Sequence, residues 1–277
     1  MKTIYSAIII IVLSAFVFGS GISDTEAVEK ASMNYIEGFY EGDESKVRAG
    51  ISPELNKHGF WKKKGEENYQ PAGDFPFEQA LSYAKNVRDK KEFAKPGSPK
   101  LVEVIEVSDK IAITKVVANW GVDYLLLAKN DGKWMIRQVL WEGPDRTANP
   151  TDADREGVRK AGLNYVEGFY EGDPEKLKNA LQPTMFKYGY GYDKKKGEFG
   201  KGGQMKFEEA LGYAKWVADN KKYPKADAPK KVEVLDVVNH IAAVKITAWW
   251  GIDYMLLSRK GDKWMIEQVL WSGIPDR

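Results

Sequence analysis

The sequence predicts an α+β protein made of two tandem domains, each an antiparallel sheet packed on three helices. Three observations predict it. First, the chain repeats itself at a constant offset of 130 residues. Asn34-Tyr35-Ile36-Glu37-Gly38-Phe39-Tyr40-Glu41-Gly42-Asp43 returns as Asn164-Tyr165-Val166-Glu167-Gly168-Phe169-Tyr170-Glu171-Gly172-Asp173, and Trp120-Gly121 and Asp123-Tyr124 return as Trp250-Gly251 and Asp253-Tyr254. A repeat of this length is one small domain with its own core, not a stacked solenoid unit. Second, apolar residues in each copy recur first at helical spacing and then with period two. Third, Glu142 to Arg155 is rich in Gly, Pro and Asp, the composition of a linker.

The chain opens with Lys2, an apolar run from Ile4 to Phe18, and the small residues Gly19-Ser20-Gly21. This is the order of a secretory signal, and the run is short of the roughly 20 residues that span a bilayer. Residues 1–21 are expected to be a signal peptide. The mature protein is expected to be periplasmic or secreted, with no membrane attachment. Ser23-Asp24-Thr25-Glu26 reads as a capping box, followed by Val28, Ala31, Ser32, Tyr35 and Phe39 on one helical face. Gly42 ends that helix. Asp43 caps a short second helix, and its counterpart Asp173 precedes Pro174, a residue suited to a first helical position. Pro53 and Pro183 close this helix. Leu55 to Trp61 reads as a strand, and Phe77 to Lys90 as a third helix with Ala80, Leu81, Ala84 and Val87 on one side. Strand signals then run near 101–107, 111–128 and 133–141, separated by Ser108-Asp109-Lys110 and Asn130-Asp131-Gly132. The expected domains are 22–142 and 152–277, joined by a linker at 143–151.

Composition removes several function classes. The chain carries 42 basic and 40 acidic residues, a formal charge of +2, without the basic excess of a nucleic-acid-binding protein. Lys62-Lys63-Lys64 and Lys194-Lys195-Lys196 read as solvated loop charges. Cysteine is absent, which leaves no disulfide framework and no thiol nucleophile. The two histidines, His58 and His240, have no counterpart histidine in the other copy, which argues against a soft-metal site and a Ser-His-Asp triad. The glycine-rich stretch from Gly197 to Gly203 lacks the Lys-Ser/Thr ending of a phosphate loop. Neither a metal nor a cofactor is expected.

In order and spacing, the runs Asn-Tyr-x-Glu-Gly-Phe-Tyr-Glu-Gly-Asp, Trp-Gly-x-Asp-Tyr and Lys-Trp-Met-Ile-x-Gln-Val-Leu-Trp occur once per repeat. With them the chain resembles the Putative lumazine-binding branch of the nuclear-transport-factor-2-like (SnoaL-like) superfamily. The resemblance implies cone-shaped domains, each a strongly bent sheet wrapped on three helices with a pocket at the wide end. It also implies a pterin-like or flavin-precursor ligand. Members often carry His-Pro after the second helix. Ser52-Pro53 and Gln182-Pro183 stand there instead, so a function of that histidine does not carry over.

The chemistry implied for the superfamily is a carboxylate with tyrosines in an apolar cone. Burial raises a carboxyl pKa, so Asp123 or Asp253 is the candidate acid–base group. Alternation along one continuous strand places Ala112, Thr114, Val116, Ala118, Trp120, Val122, Tyr124 and Leu126 on an uncharged face, opposite Lys115, Asn119, Gly121 and Asp123. Trp120 and Tyr124 then point inward and Asp123 outward, unless a bulge near Gly121 exchanges them. In the last strand Trp134, Ile136, Gln138 and Leu140 share a face. Arg137 in one copy is Glu267 in the other, which suggests exposure and turns Gln138 and Gln268 toward the pocket. The ligand-binding candidates are therefore Tyr35, Tyr83, Trp120, Tyr124 and Gln138, with Tyr165, Tyr213, Trp250, Tyr254 and Gln268, a set able to stack a flat ring.

Three readings follow. The preferred one is an exported, non-catalytic binder of a small planar or apolar molecule, with one aromatic pocket per repeat. The second is an isomerase- or lyase-type enzyme using Asp123 or Asp253. The third is a sheet-mediated interaction module, suggested by Ile113, Val117 and Trp249 on the outer face. The same outer positions suggest an intramolecular pseudo-dimer of the two repeats.

Overall fold

The structure, a computed structural model, describes residues 22–63, 65–66, 68–144 and 149–275. The expected signal peptide and residues 145–148 of the expected linker lie outside the described residues. Helix α1 (Asp24–Glu41) starts at the predicted box: Glu26 N–H donates to Ser23 Oγ at 3.2 Å, and Ser23 N–H donates to the Glu26 carboxylate at 2.8 Å. Gly42 leaves it with φ 65°, a left-handed conformation that costs glycine nothing. Asp43 caps α2 (Glu44–Gly50), which runs directly into β1 (Ile51–Trp61). β2 (Gln70–Pro71), α3 (Phe77–Lys90), β3 (Lys100–Val107), β4 (Ile111–Ala118), β5 (Gly121–Asn130) and β6 (Lys133–Glu142) complete the first unit. The second repeats the order: α4 (Asp152–Glu171), α5 (Pro174–Lys178), β7 (Leu181–Asp193), β8 (Glu198–Lys201), α6 (Phe207–Asp219), β9 (Lys231–Val237), β10 (Ile241–Ala248), β11 (Gly251–Lys260) and β12 (Lys263–Ser272).

Each unit holds an open six-stranded sheet, ordered β2-β1-β6-β5-β4-β3 and β8-β7-β12-β11-β10-β9. The meander from β3 to β6 is antiparallel as predicted, whereas β1 enters parallel to β6. The helices cover one face. In the first unit Val28, Tyr35, Ile36 and Phe39 of α1 and Ala80, Leu81 and Ala84 of α3 meet Val116, Leu125, Leu127, Ile136 and Val139 of the sheet. Each fully buried aliphatic side chain of this kind contributes about 1.5–3 kcal/mol.

The opposite faces of the two sheets share a further core. Phe60, Ile113, Tyr124, Leu126 and Leu140 cluster with Tyr190, Ile241, Tyr254, Leu256 and Leu270. Polar links cross the same boundary. Lys115 pairs with Asp236 at 2.5 Å and Lys245 with Glu106. Glu142 accepts from the backbone N–H of His240 at 2.7 Å and of Ile241 at 3.1 Å.

Two details of strand geometry overturn the predicted facing. The signal at 111–128 is two strands, not one. A tight turn at Asn119-Trp120 pairs Ala118 with Gly121 and Val116 with Asp123. Paired residues share a face, so the even-numbered residues of β4 lie with the odd-numbered ones of β5. Asp123 therefore points to the helix side with Val116, and Tyr124 points away, without any bulge at Gly121. In β6 the bulge falls at Arg137: Leu126 pairs with Gln138 and Leu127 with Ile136. The extra residue flips the strand. Trp134 and Ile136 face the helices, while Gln138 and Leu140 face the other unit.

Position 137 is not exposed either. Arg137 is 4% and Glu267 5% accessible. Opposite charges are accommodated because each has its own partners. Arg137 donates to Ser52 Oγ at 2.9 Å, pairs with Glu54 and lies over the Tyr188 ring at 4.9 Å. Glu267 accepts from Ser258 Oγ and lies 3.7 Å from His58 Nε2.

Candidate functional site

Four elements converge at the same place in each unit. Helix α1 supplies Tyr35, β1 supplies Lys57, the β4–β5 turn supplies Trp120, and β5 supplies Asp123. The Tyr35 hydroxyl donates to Asp123 Oδ2, and Trp120 Nε1 donates to Asp123 Oδ1 at 2.8 Å. Lys57 Nζ donates to the Tyr35 oxygen at 2.6 Å and lies 3.4 Å from Asp123 Oδ2. The second unit repeats the set. Tyr165 donates to Asp253 at 2.7 Å and Trp250 donates at 2.9 Å. Lys187 is 2.6 Å from the Tyr165 oxygen and 3.7 Å from Asp253.

Asp123 and Asp253 are fully buried, and both oxygens of each carboxylate accept hydrogen bonds. Burial pushes the Tyr35 and Tyr165 hydroxyls well above the usual phenol range, and the neighbouring carboxylates push the same way. Both stay protonated and act as donors. Burial also pulls the Lys57 and Lys187 ammonium groups down, outweighing the upward pull of Asp123 and Asp253.

The lysines, not the aspartates, border open space. In the first unit a cavity of about 190 Å³ is lined by Tyr35, Phe39, Lys57, Phe75, Tyr83, Trp120 and Trp141. In the second, a cavity of about 520 Å³ is lined by Tyr165, Phe169, Lys187, Met205, Tyr213, Trp250 and Trp271, with Gln204, Glu209 and Trp249 also on its wall. The size difference has a visible cause. The Phe75 ring packs edge-on at 6.2 Å from both Phe39 and Tyr83, and its counterpart in the second unit is the slimmer Met205. Trp141 and Trp271 reach the cavities because Gly59 and Gly189 lie beneath them, where a Cβ would collide with the indole.

Six predicted residues line these cavities: Tyr35, Tyr83 and Trp120, with Tyr165, Tyr213 and Trp250. Tyr83 and Tyr213 sit at the rims, 48% and 37% exposed. The other four do not, and this corrects the expected facing. Tyr124 and Tyr254 belong to the core between the sheets. Gln138 Nε2 donates to the Val269 carbonyl at 3.1 Å, and Gln268 Nε2 to Asn56 Oδ1 at 2.6 Å and the Val139 carbonyl at 3.2 Å. Sequence reasoning missed Lys57, Lys187, Trp141 and Trp271. A signal was present, since all four keep the 130-residue offset. Among the described residues, no group of three or more His, Asp or Glu side chains is placed to hold a metal ion.

An aromatic cavity closed by sheet and helices, with one buried cation held by a carboxylate and a tyrosine, defines a ligand-binding type of α+β domain, present twice. The chain belongs to the family described as Putative lumazine-binding, which matches residues 23–142 and again 153–272. No curated protein matches it. Among solved structures, it is similar to a nuclear-transport-factor-2-like protein of unknown function from Shewanella baltica OS155. That likeness is 18% identity over 46% of this chain and 100% of the other, with a TM-score of 0.35. A nuclear-transport-factor-2-like protein of unknown function from Methylobacillus flagellatus KT matches at 18% identity over 45% and 95% of the two chains, with a TM-score of 0.36.

Proposed function

We propose that each repeat binds a small planar molecule, stacked on the cavity aromatics with a carbonyl or acidic edge toward the lysine, and that the domain is a binder and not a catalyst. The observation that carries this reading is the buried ammonium of Lys57 or Lys187 at an otherwise largely apolar, aromatic wall. An ammonium has three donor hydrogens. Tyrosine and aspartate draw on one side of it, and an acceptor on the ligand completes the set. The larger cavity falls within the 300–1,000 Å³ usual for small-molecule sites, so the second repeat is the main site. The family description supports a pterin-like ring as the first ligand to try.

Direct proton transfer between a ligand and Asp123 or Asp253 is disfavoured, because neither carboxylate borders the cavity. The apolar outer sheet face of each unit is already covered by the other unit, which leaves little of it for an outside partner. Export is part of the proposal, supported by the signal-like order of residues 1–21. Tryptophan fluorescence of the full chain, titrated with lumazine, riboflavin and a hydrocarbon of similar size, tests the reading. Saturable quenching by the ring compounds, weaker with the hydrocarbon, is expected. Linear, non-saturating quenching by all three would overturn it.

A further inference from the structure

We propose that Lys187 is a nucleophile, its ε-amine condensing reversibly with the carbonyl carbon of an aldehyde seated against Trp250 and Trp271. The second repeat would thus capture carbonyl compounds covalently. The proposal rests on the second cavity being a ligand site.

The geometry supplies what the reaction needs. Lys187 borders the cavity, its side chain is 8% exposed, and Nζ lies 5.7 Å from the Trp271 ring. A ring seated on that indole would bring a carbonyl substituent close to the amine. Nζ also begins a two-step proton relay: it donates to the Tyr165 oxygen at 2.6 Å, and the Tyr165 hydroxyl donates to Asp253 Oδ2 at 2.7 Å. Moving one proton along each hydrogen bond converts ammonium and carboxylate into free amine and carboxylic acid. In water the ion pair is strongly preferred, but here both ions have lost their hydration, which narrows the gap. Burial pulls Lys187 down in agreement with this. A solvated lysine near pKa 10.4 is free amine in fewer than about one molecule in a thousand at pH 7. A desolvated one is the usual amine nucleophile of carbonyl chemistry.

The step balances without an oxidant or reductant. The nitrogen lone pair forms a C–N bond and the nitrogen passes one of its protons to the carbonyl oxygen, giving a neutral carbinolamine. The C–O bond then breaks, the hydroxyl takes the proton stored on Asp253 and leaves as water, and C=N forms as an iminium beside the Asp253 carboxylate. Aldehyde, amine and that proton become iminium and water. Lys57 has the same relay, but its cavity is about 190 Å³ against about 520 Å³, so the second unit takes the bulkier aldehydes.

The test is reductive trapping on the full chain at pH 7. The protein is incubated with 2-naphthaldehyde and sodium cyanoborohydride, digested, and the adduct at each lysine is quantified by mass spectrometry. Lys187 should be alkylated at least tenfold faster than Lys215, whose side chain is 70% exposed. Excess 2-naphthoate, of the same shape but unable to form an imine, should protect Lys187 and leave Lys215 unchanged. A Lys187→Arg chain should lose the fast adduct while Lys215 is alkylated as in the wild-type chain. If Lys187 reacts no faster than Lys215 while naphthoate still quenches tryptophan saturably, the nucleophile is overturned and the binding site stands. If naphthoate neither quenches nor protects, both fall.

Discussion

Glu142 and His240 form a pair of opposed titrations at the boundary between the repeats. Burial raises the Glu142 carboxyl from 4.5 to about 7, even though it accepts N–H bonds from Asn239, His240 and Ile241. Burial lowers His240 from 6.5 to about 4, with its ring stacked on Tyr69 at 4.5 Å. Glu142 binds its proton more tightly when folded, so its contribution is complete below pH 4.5 and is lost as pH rises to about 7. His240 does the reverse: its contribution is complete above pH 6.5 and is lost as pH falls to about 4. Each is worth about 3 kcal/mol at about 1.4 kcal/mol per pH unit. Between pH 4.5 and 6.5 the slopes oppose, and the pair leaves the wild-type curve nearly level. Glu142→Gln keeps an acceptor for these N–H groups but removes one titration. Urea unfolding at pH 4.5, 5.5, 6.5 and 8 should then show the variant losing about 3 kcal/mol relative to wild type between pH 6.5 and 4.5. If the two stability curves run parallel across that range, Glu142 does not titrate as its burial requires.

The other predictions concern the cavity and its supports. Gln138→Leu and Gln268→Leu should each cost about 1–3 kcal/mol in urea unfolding, by orphaning buried partners, and leave ligand affinity unchanged. A fall in affinity would return these amides to the site. Asp253→Asn should destabilise the chain by about 3–5 kcal/mol, because Lys187 would be buried without its counter-charge; calorimetry showing less than 1 kcal/mol would mean that the pair is solvated. Met205→Phe should narrow the second cavity and weaken binding of a two-ring ligand roughly tenfold, while Phe75→Met should strengthen it in the first. Titrations in which neither changes would detach the cavity from binding.

Much of the fold was legible because the chain supplies its own comparison. The 130-residue offset set the two units, Ser23 and Asp43 set the helix starts, and Asn130-Asp131-Gly132 set the last turn. Facing was not legible where a single residue decides it. Asn119-Trp120 carries no Gly-Gly or Asn-Gly turn signal, so two strands read as one and the parity of β5 was inverted. Arg137 gives no composition cue for a bulge, so Gln138 followed Trp134 inward on paper. The lysines were hidden for a different reason. A buried lysine is identified by the carboxylate and hydroxyl that surround it, and those lie far away in sequence: Tyr35 is 22 residues from Lys57, and Asp123 is 66. Only their joint recurrence at Tyr165, Lys187 and Asp253 could have exposed the set.

A structure of the chain soaked with lumazine or another planar ring bearing a carbonyl edge tests the binding site most directly. The ring should stack against Trp250 and Trp271, with an acceptor within hydrogen-bonding distance of Lys187 Nζ. A ring seated instead in the cavity beside Tyr69 and His240, with the space around Lys187 empty, would contradict it.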